Sequence, residues 1–565
     1  MQGGAHRGGR MTRSESDARD AGYAALRDGR AEEARVIFEA AVVEHGSAEA
    51  QEGLSWAALA LDDGDAAIAA RQAAYRLYRD ANAPVAAARM AMWLAKDHDD
   101  FRGAAALANG WLARARRLLA DQPLAPEHGW LPVLECWGSE ADERDPEDVV
   151  AETRRAIEVA RACGDRDLEL LGIAFEGLAL VDAGRVEAGM ARLDEAAAAT
   201  SAGEFDQPIW ALVVFCNLIF ACERVRDFSR AAGWCETMRE AAEQMRHTGS
   251  LGLCRAHLGV VLTECGDWGA AEETLERAAR HFAASWPPYA AEPTARLAEL
   301  RRRQGRLAEA GQLLDAAVGT PRAALVRGRC ALDLGRADDG LDCAARYLRR
   351  FPETSALHRV EGLELMVRAA VAAGQIGRAR EALAELEATA ARGATLPLKG
   401  AAAASRATLA AAEGRMAEAR AGFEDAIDFY TRAGMKFDAA LACTELAEIL
   451  AALGRGAAAS TEAAAARVAF EALGADHLAR RAAALESRIA PADREEAARE
   501  VLEGLTRRQA EVLRHVAGGA TNREIAAALA LSEKTVDRHL SNAFDRLGVS
   551  SRAAAVATAL ERGII

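Results

Sequence analysis

The chain has 565 residues, 51% of them apolar and only 5% aromatic, and alanine makes up about a quarter. That mix favours helices, because Ala, Leu, Arg and Glu are strong helix formers and the residues sheets need are scarce, so a large β-sandwich or barrel is excluded. The net charge of −15 excludes a chain coated in nucleic acid, yet it is uneven: residues 505–565 carry nine Lys/Arg against six Asp/Glu, a balance of +3, leaving −18 on residues 1–504.

From the start of the chain, MQGGAHRGGRMTRSESDARD lacks the apolar stretch of a signal peptide. Residues 1–16 read as a disordered tail, with Met11 an alternative start. The longest apolar run, Ile209 to Cys222, contains Asn217 and is shorter than the ~20 residues that span a bilayer. Ten cysteines between Cys136 and Cys443 form no Cys-x-x-Cys pair and no zinc spacing. A cytoplasmic protein with reduced thiols and no membrane, metal or cofactor is expected. The only lysines are Lys96, Lys399, Lys436 and Lys534, and none follows a glycine. A P-loop, whose lysine follows a Gly-rich turn, is therefore excluded.

One signature recurs along residues 17–487. A turn residue, usually Gly, is followed at five, nine and twelve residues by small or apolar side chains. It reads Gly29, Ala34, Phe38, Ala41, and returns as Gly103, Ala108, Leu112, Ala115. Further copies are Gly266, Ala271, Leu275, Ala278; Gly305, Ala310, Leu314, Ala317; and Gly414, Ala419, Phe423, Ala426. Weaker copies begin at Gly64, Arg144, Gly184, Arg226, Gly335, Gly374 and Gly454, giving twelve at a spacing near 40. These offsets put the side chains on one helix face. The glycine falls in the preceding turn, where positive φ costs least. Each copy predicts a helix–turn–helix. The array resembles tetratricopeptide (TPR) repeats with the period stretched from about 34, which implies a superhelix with a concave surface. Pro123, Pro126, Pro132 and Pro146 predict longer loops around 120–150.

Two features inside the array invite a functional reading. All nine tryptophans lie between Trp56 and Trp286, and Trp56, Trp93, Trp111, Trp210, Trp234 and Trp268 stand in helical contexts. They form either an aromatic-lined pocket or, as aromatics usually do, interhelix core. Cys216, Cys222, Cys235, Cys254 and Cys265 cluster with His247 and His257. No second close pair completes a four-ligand set, so buried thiols are expected rather than a sensor.

Residues 488–504, DREEAARE included, read as a charged linker or connecting helix. From Leu505 the chain parses into four helices. Thr506 with Gln509, and Thr521 with Glu524, fit capping boxes; Ser532 and Ser551 cap the third and fourth helices. Gly518–Gly519 and Gly548 end the helices before them. The second and third helices are joined by only Ala530–Leu531, the short joint of a helix-turn-helix. Val536, Leu540, Phe544 and Leu547 form an apolar stripe on the third helix, with Lys534, Asp537, Arg538, Ser541, Asn542 and Asp545 opposite. A polar-faced short helix in a basic mini-domain suits the major groove.

Nearly all of 505–565 resembles a LuxR-type DNA-binding domain. The residues that carry the resemblance are Leu505-Thr506, Arg508, Glu511-Val512-Leu513, Asn522-Arg523-Glu524-Ile525-Ala526, Leu531-Ser532, Thr535-Val536, His539, Arg546-Leu547-Gly548-Val549, Arg552 and Ala555-Val556. The resemblance implies that Asp537, Arg538, Ser541 and Asn542 face base edges, with Arg538 able to give guanine two bonds. It implies phosphate contacts at Arg523, Lys534, Thr535 and His539. Asp537 departs from the family, which often has a basic residue there; an Asp repels phosphate but accepts from cytosine N4. The last helix, with Val556 and Leu560, implies pairing of two domains. The whole chain resembles the large maltose-regulator-like activators without their ATPase.

The fold expected is all-α: a TPR-like superhelix followed by a small four-helix LuxR-type domain at 505–565. The function expected is a bacterial one-component transcription regulator, not an enzyme, that binds specific double-stranded DNA and uses its repeats as sensor or partner module. The partners expected are promoter or operator DNA, a small-molecule or protein effector in the repeat groove, RNA polymerase and, on DNA, a second copy. The alternative is a protein-interaction scaffold with secondary DNA affinity.

Overall fold

The recurring glycines sit where the chain must reverse between two helices. Gly29 and Gly414 have φ of 70° and 77°, and each is followed within two residues by a helix, Ala31–His45 and Met416–Arg432. A side chain at such φ is strained, which is why glycine recurs there. Gly64 is an exception. It is the first residue of the Gly64–Asp80 helix, and Asp62 before it takes the positive φ. A Cβ on Gly64 would come within 2.4 Å of the Phe101 ring, so close approach, not turn geometry, selects glycine there. Arg226 likewise carries a positive φ of 58° itself.

This computed structural model describes residues 13–137, 143–207, 209–244, 248–393, 395–488, 505–529, 531–549 and 551–565. Among them every regular element is helical. The first helix is Arg13–Arg27, with Glu15 in its first turn, so residues 13–16 are helix rather than tail. Residues 1–12 of the expected tail, 489–504 of the expected linker, His247 and Ala530 lie outside the described residues.

The positions five, nine and twelve after the turn are the buried ones. Ala34, Phe38 and Ala41, Ala271, Leu275 and Ala278, Ala310, Leu314 and Ala317, and Ala419, Phe423 and Ala426 are all core; of the five strong copies only Leu112 is half-buried. Small residues let helices touch along their backbones. Gly177 and Gly189 face each other across Arg166–Asp182 and Val186–Ser201, and a Cβ on Gly189 would lie 2.5 Å from the Gly177 carbonyl oxygen. Near 120–150 the pattern breaks. Glu127–Glu135 is a single nine-residue helix with Pro132 inside it. A proline there removes a backbone donor, which keeps the helix short.

The chain forms two compact units. The first comprises residues 1–362 without 264–266 and 303–305; the second comprises those short pieces and 363–565. Within the first unit the chain returns upon itself. The Trp286 indole donates to Asp62 at 2.8 Å, and the Tyr289 hydroxyl donates to Asp100 at 2.7 Å. Five tryptophans meet there, Trp93 and Trp210 buried and Trp56, Trp130 and Trp137 half-buried. Trp93 stacks on Trp210 with centroids 5.6 Å apart, and Trp56, Trp130 and Trp137 lie 5.3–6.2 Å from Trp210. The fully buried Arg71 lies 4.8 Å from the Trp56 centroid and 5.5 Å from that of Trp93, and pairs with Asp97. Ring faces and the carboxylate replace the water this guanidinium gives up. Trp111 packs on Tyr75, Trp234 on Phe215, and the Trp268 indole donates to the Thr263 carbonyl at 3.0 Å.

Cys216, Cys222, Cys235 and Cys254 are buried and Cys265 is exposed. Burial pushes the Cys222 and Cys254 thiols up to about 12, so they stay protonated and unreactive at neutral pH. The His257 ring bonds Glu223 at 2.7 Å rather than a thiol, and Arg296 reaches the other oxygen of Glu223 at 3.2 Å. Those two partners hold the Glu223 carboxyl down at about 2 despite its burial. Among the described residues, no group of three His, Cys, Asp or Glu is placed to hold a metal ion, and no helix is long and apolar enough to cross a membrane.

Candidate nucleic-acid interface

The last sixty residues build a small domain around a core of their own: Leu505, Val512, Leu513, Ile525, Val536, Leu540, Leu547, Ala555, Ala559 and Ile564 are buried together. Its four helices are Arg507–Ala517, Asn522–Leu529, Glu533–Leu547 and Arg552–Glu561. Each start is fixed locally. Thr506 and Gln509 exchange both bonds of a capping box. Thr521 and Glu524 do the same, with bonds of 2.7 and 3.4 Å, and the Thr521 amide and hydroxyl, both donating to the Glu524 carboxylate, hold it below its usual range. Ser532 accepts from the Thr535 amide at 3.1 Å and Ser551 from the Ala554 amide at 3.2 Å. Such caps satisfy amides that have no partner inside the helix. Gly548 closes the third helix at φ 71°.

The second and third helices are separated by residues 530–532, with Ser532 already serving as cap. Arg508 on the first helix fixes this joint. Its guanidinium donates to the Leu529 carbonyl at 2.5 Å and to Glu511 at 2.7 Å. A second tie runs through Asn522. Arg552 on the fourth helix donates to the Asn522 oxygen at 2.6 Å and to the Ala520 carbonyl, and Asn522 in turn donates to Asp537. Three helices are thus held by one chain of polar side chains. This accounts for the acidic residue at 537: its carboxylate accepts from a neighbouring helix. Arg552, whose place in the motif fits a solvated surface residue or a structural salt bridge, ties helices together instead; Arg508 and Asn522 stand in the motif without a role assigned, and only their side-chain directions show the ties.

The proposed contact residues do not present themselves equally. Lys534, Asp537, Ser541 and Asn542 are exposed on one face of the third helix, Arg538 is half-buried beside them, and Arg523 is exposed on the second helix. Thr535 is buried, its hydroxyl 2.7 Å from that of Ser532. It therefore serves the cap, and its side chain does not stand free for phosphate. His539 is half-buried; burial, with the Arg538 and Arg508 guanidiniums beside it, lowers its imidazole to about 4. It is neutral at pH 7 and brings no charge to a phosphate. On the fourth helix Val556 is half-buried against the domain's own core, whereas Leu560 is 57% exposed. Of the two, Leu560 offers the larger free apolar surface.

Residues 503–559 match the family described as bacterial regulatory proteins, luxR family. Residues of this chain are 46% identical over 59 positions to the spore germination protein GerE of Bacillus subtilis (strain 168), a match covering 10% of this chain and 80% of that protein. The chain belongs to the LuxR family of bacterial regulatory proteins. Another relative is the probable transcriptional regulatory protein SgaR of Hyphomicrobium methylovorum, 54% identical over 56 residues, 10% of this chain and 26% of that one. The chain thus spans about a quarter of SgaR's length. A solved structure similar to the chain is a Rap protein complexed with competence and sporulation factor, at 12% identity and TM-score 0.37, covering 78% of this chain and 99% of that one.

Proposed function

We propose that this LuxR-family chain is a transcription regulator that binds specific sites on double-stranded DNA through the third helix of its C-terminal domain. The observation that carries this reading is the polar face of Glu533–Leu547, where Lys534, Ser541 and Asn542 are exposed with Arg538 half-buried beside them on a helix locked by caps and side-chain ties. A rigid helix of this kind enters the major groove with base-reading groups already aimed. Arg538 reads guanine; Lys534 and Arg523 hold phosphate. Thr535 and His539 support the helix and are not contacts in this reading. Leu560 is the apolar point at which two domains meet on paired half-sites.

The repeats act as the sensing or partner-binding module. A cleft of about 420 Å³ in the first unit supports this. It is lined by Lys96, Asp99, Asn109, Arg116 and Glu135 among others, mixed charge on apolar walls suited to a polar effector.

The test is capture of genomic fragments by residues 490–565, which enclose the domain's own core, beside the same fragment with Arg538→Ala. A discrete set of sites is expected from the wild type, with affinity falling about 5- to 150-fold in the variant, the ~1–3 kcal/mol of one bidentate base contact. Equal capture by both would remove Arg538 from base reading. Capture by neither would leave the interaction scaffold as the better account.

A further inference from the structure

The third helix of the C-terminal domain is not bare. Within the second unit it faces the repeat helix Met416–Arg432. The Lys534 ammonium lies 4.5 Å from the centroid of the Phe429 ring. Lys534 also acts on the Asp425 carboxylate, and Arg538, one turn further along, acts on Glu424 and on the Cys443 thiol of the next repeat helix, Lys436–Ala452. Glu424, Asp425, Asp428 and Phe429 share one flank of their helix at offsets of one, three and four residues, all half-buried. Glu424 and Asp428 already have arginine partners on their own helix, at 3.1 and 3.3 Å. Asp425 and Phe429 are therefore the pair that Lys534 meets.

We propose that this flank of Met416–Arg432 is an intramolecular dock for the DNA-contacting face of the third helix, so that the repeats and DNA compete for the same two cations. The inference rests on the DNA-binding reading above and adds to it the surface that restrains the reader. The flank imitates what a phosphate backbone and a base edge offer: carboxylates for Lys534 and Arg538, and a ring face for the ammonium. A phosphate seated on Lys534 competes with Phe429 and Asp425 for the same ammonium. The tether makes a weak dock sufficient. The sixteen residues 489–504 reach at most roughly 55 Å when extended, at about 3.4 Å per residue. Covalent attachment on this length scale gives an effective concentration in the millimolar range, so a dock with an intrinsic dissociation constant near ~0.1 mM would hold the domain closed about ten times in eleven. Its release needs only a modest shift, such as an effector on the repeats could supply.

The experiment uses the full chain: wild type, Asp425→Asn, Phe429→Leu and the pair of substitutions together, each also with Arg538→Ala. DNA affinity is measured on fragments selected by residues 490–565. The paired variant is expected to bind about tenfold more tightly than wild type, and Arg538→Ala to abolish that gain. Equal affinity of wild type and paired variant, with both binding DNA, overturns the dock and leaves the DNA reading standing. In parallel, zero-length carbodiimide coupling reads the contact without DNA. With four lysines in the chain, an amide between Lys534 and Asp425 is readily found by mass spectrometry. Coupling in wild type and its loss in Asp425→Asn support the dock even if no variant binds DNA; no coupling in wild type overturns it.

Discussion

His539 shows what a single residue's surroundings decide. Its resemblance-derived role was a phosphate contact, but burial beside Arg508 and Arg538 brings its imidazole to about 4. The folded domain binds the neutral ring, while the unfolded chain protonates near pH 6.5. This group's contribution to stability is therefore complete above about pH 6.5 and is lost as the pH falls from there towards 4. A nuclear magnetic resonance titration of the full chain should place the His539 midpoint near 4, and His539→Gln should lessen the acid-side loss of stability; a midpoint near 6.5 would refute the placement. Thr535 makes the same point without charge, since its hydroxyl is spent on Ser532. The sequence identifies the residue type, but whether a side chain is available depends on neighbours brought in by folding.

At the scale of the element, local chemistry was legible. Every expected cap of the C-terminal domain is made, because a cap joins residues three apart and needs no tertiary context. Ser532→Ala should cost the domain about 1 kcal/mol, seen as a lowered unfolding midpoint of residues 490–565 in urea. An unchanged midpoint would mean that Thr535 satisfies itself elsewhere. The repeat turns were equally legible, with Gly64 as the instructive failure. Its spacing marks it as a turn, yet the structure uses it to admit the Phe101 ring. Two reasons for a glycine, positive φ and close approach, look identical in a sequence.

At the scale of the whole molecule, the division of charge is the governing feature: −18 on residues 1–504 and +3 on 505–565. Phosphate contacts are counted by the salt dependence of binding, each contributing a slope of about 0.9 in log K against log salt. Lys534→Ala in residues 490–565 should lower that slope by about one and weaken binding to all sequences alike; a change confined to one operator sequence would make Lys534 a base reader instead. In the full chain the same lysine also holds the dock, so its removal should weaken DNA binding less there than in the fragment.

The sequence by itself determined the all-α class, the repeat register, the buried positions of each copy, and the four capped helices that place the chain in the LuxR family. All of these depend on residues within a few turns of one another, so the periodicity of the helix is enough to find them. Only the tertiary structure decided that Trp56, Trp93, Trp130 and Trp137 meet around Trp210 with Arg71 on Trp56 and Trp93, that Asp537 answers Asn522 and Asn522 answers Arg552, and that Lys534 looks onto Phe429. Those contacts join residues far apart in the chain. Which distant side chains meet depends on how helices stack and cross, and no periodicity in a single sequence encodes that.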